Sequence, residues 1–289
     1  MSHSNSEPSA AAAETFLIGG DLPVHRLGYG SMQLTGPGAM GEPADLEQAR
    51  NVLRLAVELG VTLIDTADSY GPGVPERLIG ETLHPYRKDL VIATKGGFIR
   101  GHRGEWITDG RPQHLRDALE GSLRRLRLDS IDLYQLHRID HKVPLADQIG
   151  AMEEFRRRGL IRHIGLSEVT LQELQVAQTQ TQIATVQNLY NLTERRSEDL
   201  VSYTAENNIG FIPWFPLATG QLTTPSGPLA KIASRTGAAP SQIALAWLLQ
   251  HSPTILPIPG TSSPAHLREN IAAAHLKLTT EDMAALDAA

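Results

Sequence analysis

Cysteine is absent from all 289 residues, which excludes disulfides, thiolate chemistry and cysteine-ligated zinc and fits a reducing, cytoplasmic setting. No run of eighteen apolar residues occurs, so no segment is expected to span a membrane. Basic residues are in deficit, with 26 Lys and Arg against 32 Asp and Glu, and a net charge of −6 leaves no electrostatic footprint for nucleic acid. The opening stretch "MSHSNSEPSAAAAET" has neither a basic n-region nor an apolar h-region, so it does not read as a secretory signal. Residues 1–14 are expected to form a disordered leader, and 15–289 a single domain.

What is present is an alternation. Short apolar runs read as strands: His25–Ser31, Val61–Thr66, Asp89–Lys95, Ser130–His137, Ile161–Ser167, Ala184–Asn188, Ile209–Phe215 and Thr254–Pro259. They lack strict apolar–polar alternation, as strands covered on both faces should. Helix-period segments lie between them, among them Ala44–Gly60, Pro112–Leu128 and Pro144–Gly159. The first ends on Gly60, a helix stop. Eight strand–helix units with no linker-like break predict a closed α/β barrel, the (β/α)8 or TIM-barrel class, in one domain. Ahead of the first unit, "FLIGGDLPVHR" carries the turn signal "GGD" and predicts an N-terminal β-hairpin plugging the bottom of the barrel.

Chemistry in such a barrel gathers at the C-terminal ends of the strands. In "LIDTADSYG", Asp65 ends the second strand and Tyr70 sits on the loop after it. Lys95 ends the third strand and His137 the fourth. A lysine at a buried strand end needs a carboxylate partner, and Asp65 is positioned to be one. A nearby ammonium favours the phenolate of Tyr70, whose reference pKa is about 10. His137 is placed to donate to the same oxygen that Tyr70 protonates. Together the four form a general-acid arrangement for a carbonyl receiving a hydride, with no need of a metal or a nucleophile.

"LIDTADSYG", "VIATK" and "DLYQLH", in this order, resemble the Asp-Tyr-Lys-His tetrad of the aldo-keto reductases, which places it on Asp65, Tyr70, Lys95 and His137. The resemblance runs from about Val24 to Leu286 and implies a (β/α)8 barrel that binds NADPH in an extended form. It implies that Gly30, Ser31 and Met32 of "GYGSM" approach the nicotinamide. Ser167 and Glu168 of "GLSE", with Gln187, would hold the carboxamide, although the family more often has asparagine where Glu168 stands. Trp214 falls where the family usually stacks a tyrosine on the nicotinamide, and Phe215, Leu217 and Gly220 would follow the pyrophosphate. "IPGTSSPAHLRENI" resembles the segment that grips the 2′-phosphate, giving Ser262, Ser263 and His266, with Glu269 and Asn270 toward the adenine. Ser263 before Pro264 reads as a helix N-cap, an attractive end for phosphate. The family often has lysine at Gly260 and arginine at His266, so the charge clamp is thin here.

Within the family, "RLGYGSMQLTGPGAMGEP", "PWFPL", "QIALAWLLQHSP" and "IPGTSSPAHLREN" resemble the bacterial pyridoxal reductase branch. The expectation is an NADPH-dependent reductase of aldehydes and ketones, with pyridoxal as the leading substrate. A general aldehyde-detoxifying reductase and an NADPH-binding regulatory subunit are the alternatives. The partners expected are a small carbonyl substrate, with no nucleic acid or membrane, for a monomer or weak oligomer. Trp106 is a candidate lining of the substrate pocket. "GPGAMG" (Gly36–Gly41) fits G-x-G-x-x-G literally but lacks the strand–turn–helix context, and reads as a flexible loop over the site. Asp68 reads as a loop residue or N-cap. His137 and His141 straddle a strand end, so no metal is expected.

Overall fold

The computed structural model describes residues 7–217 and 227–288. Gly19 and Gly20, at φ of 64° and 89°, turn β1 (Thr15–Ile18) back onto β2 (Leu22–His25) as an antiparallel hairpin, as "GGD" predicts. The remaining strands are β3 (Tyr29–Gly30), β4 (Leu63–Asp65), β5 (Val91–Gly96), β6 (Phe98–Arg100), β7 (Trp106–Thr108), β8 (Ile131–Leu136), β9 (Ile161–Ser167), β10 (Thr185–Leu189) and β11 (Gly210–Trp214). Seven of them, in the order β11-β10-β9-β8-β5-β4-β3, form one parallel sheet.

The eighth position is filled by residues 254–259. Phe211 N–H donates to Thr254 O (2.9 Å), Leu256 N–H to Phe211 O (2.8 Å) and Gly28 N–H to Pro257 O (2.9 Å), which closes the ring between β11 and β3. This segment makes one isolated bridge, Phe211 to Ile255, rather than a full strand. Pro257 and Pro259 have no N–H to give to a ladder. The eight units therefore form the α/β barrel that the alternation predicts.

Ten helices surround it: α1 (Leu46–Glu58), α2 (Val74–Leu83), α3 (Pro112–Leu126), α4 (Leu145–Arg157), α5 (Leu171–Gln178), α6 (Glu198–Glu206), α7 (Pro228–Thr236), α8 (Pro240–His251), α9 (Pro264–Ala272) and α10 (Thr280–Asp287), counted among the described residues. Asp45 caps α1 by accepting the Gln48 N–H at 2.9 Å, and Val52, Leu53 and Ala56 on one stripe are fully buried. That outer core lies between strands and helices. A second core fills the barrel itself. In it Phe16, Ile18, Leu22 and Val24 of the hairpin pack on Leu63, Val91, Leu133, Ile212 and Leu256, so the hairpin plugs the end opposite the strand C-termini.

One expectation is corrected. Part of the stretch read as a disordered leader is ordered: residues 10–13 form a 3-10 turn, with Ala10 and Ala13 buried. Ala10 N–H donates to Leu59 O at 2.8 Å and Ser9 N–H to His275 Nε2 at 3.1 Å, and alanine side chains are small enough to fit between these segments. The loop after β5 carries a feature not anticipated from the sequence: β6 and β7 pair as a short antiparallel hairpin with Arg100 opposite Trp106.

Candidate active site

A cavity of about 1040 Å3 opens at the C-terminal ends of the strands. The parallel register puts Gly30 beside Asp65, Lys95 beside Gln135, and Ser167 beside Gln187. Side chains at strand ends therefore converge on one rim. Asp65, Tyr70 and His137 line the cavity, with Lys95 fully buried behind them.

Lys95 Nζ donates to Asp65 Oδ2 at 2.5 Å and to Thr66 O at 2.9 Å. The other Asp65 oxygen accepts from Gln135 Nε2 (3.0 Å) and Gln187 Nε2 (2.9 Å). Both charges are thus hydrogen-bonded as well as paired, the condition under which a buried ion pair is tolerated. Burial pulls the Lys95 pKa down, but the Asp65 carboxylate and then Tyr70 together more than offset it, so the ammonium sits above its ordinary range. Its Nζ lies 5.3 Å from the centroid of the Tyr70 ring.

Burial dominates the phenol of Tyr70 and pushes its pKa up, while the Lys95 ammonium pulls it down. The ammonium lowers it as expected, but the net direction is upward because burial is the larger effect. A phenol held protonated is a donor. His137 is driven well below its ordinary pKa by burial, then by the charges of Lys95 and Arg138, so its ring is neutral. Its Nδ1 is 3.3 Å from Ser69 Oγ. With Ser69 donating there, Nε2 carries the proton and is the ring's remaining donor. The Tyr70 and His137 rings meet edge to face at 5.9 Å.

Trp106 closes the aromatic wall. Its ring stands edge-on to Tyr70 (6.3 Å), Phe98 (5.2 Å) and His137 (6.1 Å). Arg100 lies over its other side, with the guanidinium 3.8 Å from the ring centroid. Arg100 also donates to the carbonyls of Gly38, Ala39 and Gly104, each at 2.9 Å. The "GPGAMG" segment borders the cavity as expected, but Arg100 and the Met40–Gly71 bridge tie it down. Sequence reasoning missed Arg100, because backbone carbonyls leave no residue-type signal.

Of the residues assigned to a cofactor, Gly30, Ser31, Met32, Ser167, Gln187, Trp214, Phe215, Leu217 and Ser262 line this cavity. Ser31 Oγ is buried without a hydrogen-bond partner among the described residues, so the wall offers an unsatisfied polar atom to a ligand. Exposed Met32 and Phe215 and the Trp214 ring supply apolar surface suited to a flat heterocycle. Phe215 holds φ at 61°, uncommon for a bulky residue and frequent at functional sites.

The remaining assignments differ. Glu168 does not line the cavity; its Oε1 accepts the Trp214 indole N–H and the Leu189 N–H, both at 2.6 Å, and Arg196 lies 3.5 Å from Oε2. It orients the indole instead of facing the cavity. Both residues depart from the family pattern, and that paired departure was the available signal. Ser263 is the N-cap of α9, accepting from His266 N–H at 3.4 Å, with Pro264 at the first turn. Neither Ser263 nor exposed His266 lines the cavity. Glu269 accepts from Ser241 Oγ at 2.5 Å, and Asn270 is buried. Gly220 lies outside the described residues. The missing cation at Gly260 has a steric reason, since a Cβ there would meet Gly30 O at 2.7 Å.

Comparison with known proteins adds three findings. The model of the aldo/keto reductase family matches residues 26–289. An uncharacterised oxidoreductase of Schizosaccharomyces pombe is 46% identical over 283 residues, covering 98% of this chain and 92% of the relative, and pyridoxine 4-dehydrogenase of Escherichia coli is 44% identical over 282 residues, covering 96% and 98%. The crystal structure of a Klebsiella pneumoniae aldo/keto reductase in complex with NADP and acetate superposes with a TM-score of 0.80 at 30% identity, covering 95% of this chain and 94% of that one.

Proposed function

The chain belongs to the aldo/keto reductase family, and on that premise we propose that it is an NADPH-dependent reductase that converts aldehydes to alcohols, with pyridoxal as the leading substrate. One observation carries the reaction type. A buried ammonium fixed by a carboxylate stands behind a phenol and a neutral imidazole that share one cavity wall. The substrate rests on the 44% identity to the Escherichia coli pyridoxine 4-dehydrogenase over nearly all of both chains.

When bound, NADPH supplies the hydride to the carbonyl carbon. Ser31, Gln187 and the indole of Trp214 would hold its nicotinamide end, and Ser262 with the start of α9 its 2′-phosphate. Tyr70 gives its proton to the carbonyl oxygen as negative charge develops there. His137, neutral, donates a hydrogen bond to the same oxygen and orients it. Lys95, kept charged by Asp65, stabilises the phenolate that Tyr70 leaves behind. Trp106 and Phe98 shield the reacting groups from water.

The test is loss of NADPH absorbance with the purified protein against a panel of carbonyls that includes pyridoxal. Turnover of several aldehydes with pyridoxal among the best is the expected result. No turnover of any aldehyde would sink the reading, and turnover of all but pyridoxal would remove the substrate while leaving the reaction.

A further inference from the structure

Arg138 follows His137 directly and lines the same cavity, and beyond its charge helping to keep His137 neutral, its guanidinium N–H groups have no part in the reaction as described. Its Nη1 donates to His137 O at 2.9 Å and to Ser167 Oγ at 3.0 Å. The guanidinium sits between two aromatic walls, 5.8 Å from the Phe98 ring and 6.0 Å from the Trp214 ring. These contacts fix its plane and occupy one of its three nitrogens. Among the described residues no carboxylate lies within ion-pair distance of it; Glu168 acts on its charge only from further off, its oxygens being given to Trp214, Leu189 and Arg196. Residues 1–6 and 218–226 contain no Asp or Glu that could supply a partner.

Burial still outweighs the help of Glu168, so an anion that met the free N–H groups directly would offset a remaining cost. The anionic groups assigned to NADPH fall elsewhere. They follow β11 and the start of α9, whereas Arg138 follows β8, three strands round the ring from β11. The free N–H groups of Arg138 therefore face the substrate side, beside the two groups that hold the carbonyl oxygen.

We propose that Arg138 is a specificity-determining residue that selects carbonyl substrates bearing an anionic oxygen, a carboxylate or an ionised ring hydroxyl, close to the carbonyl. The inference rests on the reductase reading and narrows its substrate class. Pyridoxal, with a ring hydroxyl next to its aldehyde, belongs to that class. The planar guanidinium fork suits a carboxylate or a pair of neighbouring oxygens better than a point charge does. Its free N–H groups and the two donors on Tyr70 and His137 would grip adjacent oxygens of one substrate.

The experiment compares wild type, Arg138→Gln and Arg138→Lys on three aldehydes. Pyridine-4-carbaldehyde is neutral, 2-carboxybenzaldehyde carries a carboxylate, and pyridoxal carries the ring hydroxyl. Glutamine keeps donors for His137 O and Ser167 Oγ but removes the charge, so a purely structural role would survive it. For Arg138→Gln the ratio of kcat/KM, anionic over neutral, should fall about 10- to 150-fold, the worth of a hydrogen bond to a charged group. Most of the loss should appear in KM. Lysine should recover part of the ratio. The two anionic aldehydes separate the sources: a fall for one alone identifies which oxygen is recognised. Benzoate binding, followed by tryptophan fluorescence against benzamide as control, gives a readout without turnover and should weaken by the same factor. If all three aldehydes fall together in Arg138→Gln, or wild type binds benzoate no better than benzamide, the proposal is overturned. If wild type reduces no aldehyde but binds benzoate through Arg138, the reductase reading fails and the anion site stands.

Discussion

Replacing Asp65 by Asn changes one atom and no shape, yet every neighbour of that carboxylate is a donor. Lys95 Nζ meets Oδ2, and the amides of Gln135 and Gln187 meet Oδ1. The new NH2 group has no acceptor among them, and it must face either the ammonium or the two amides. The larger effect falls on Lys95, which is fully buried and owes its raised pKa first to Asp65 and then to Tyr70, against a burial cost. Removing one partner of a buried pair costs about 3–5 kcal/mol. At about 1.36 kcal/mol per pH unit, that suffices to bring the lysine's titration down toward neutral pH. Neutral Lys95 no longer stabilises the Tyr70 phenolate, so activity should be best preserved at low pH and fall as pH rises through the new ionisation. Stability should move oppositely. In wild type the raised lysine pKa supports the fold throughout the neutral range and is lost only above it. In the variant the folded state binds fewer protons than the unfolded one, so stability rises with pH toward the unfolded lysine's pKa. The assays are log kcat/KM against pH and thermal unfolding over the same range. A variant whose profile runs parallel to wild type, merely lower, would refute the reasoning.

Other outcomes follow from neighbouring groups. The Asp68 carboxyl, pushed up to about 8 by burial and then by Glu76, costs stability as pH rises from about 4 toward that value, because the unfolded chain releases this proton while the folded state still holds it. Asp68→Asn should raise Tm more at pH 8 than at pH 5, and an equal shift at both would refute the cause. Arg100→Met should loosen the segment around Gly38 and Ala39 and raise KM for the aldehyde about tenfold, as loss of one or two net hydrogen bonds implies; an unchanged KM would count against it. Glu168→Ala leaves the Trp214 indole N–H and the Leu189 N–H without their acceptor, and NADPH affinity should fall about tenfold, whereas Glu168→Gln, which keeps an oxygen, should fall less. Equal losses in the two variants would assign Glu168 a purely electrostatic role.

The barrel was legible because its signal is local. Each strand end and the helix that follows are contiguous in sequence, so Asp65, Lys95 and His137 could be placed on one rim without knowing a single contact. The hairpin was legible through its glycines. The 3-10 turn at residues 10–13 was not, since its stability comes from Leu59 and His275, far along the chain. Nor was the β6–β7 hairpin, whose three-residue strands are too short to show a period. In the site, sequence likeness set Glu168 against the cofactor, but a carboxylate has more than one thing it can accept, and here the nearest donors were an indole and a backbone amide. Arg138 and Arg100 were missed because their partners are mainly carbonyls, which every residue carries.

The central claim is that Tyr70 delivers the proton. Tyr70→Phe keeps the ring that packs against His137 and Trp106 and removes only the hydroxyl. Its kcat for aldehyde reduction should fall by about 10²- to 10⁴-fold, the contribution of a general acid, while the Kd for NADPH stays within about twofold. A variant that retains most of the wild-type kcat would contradict the account.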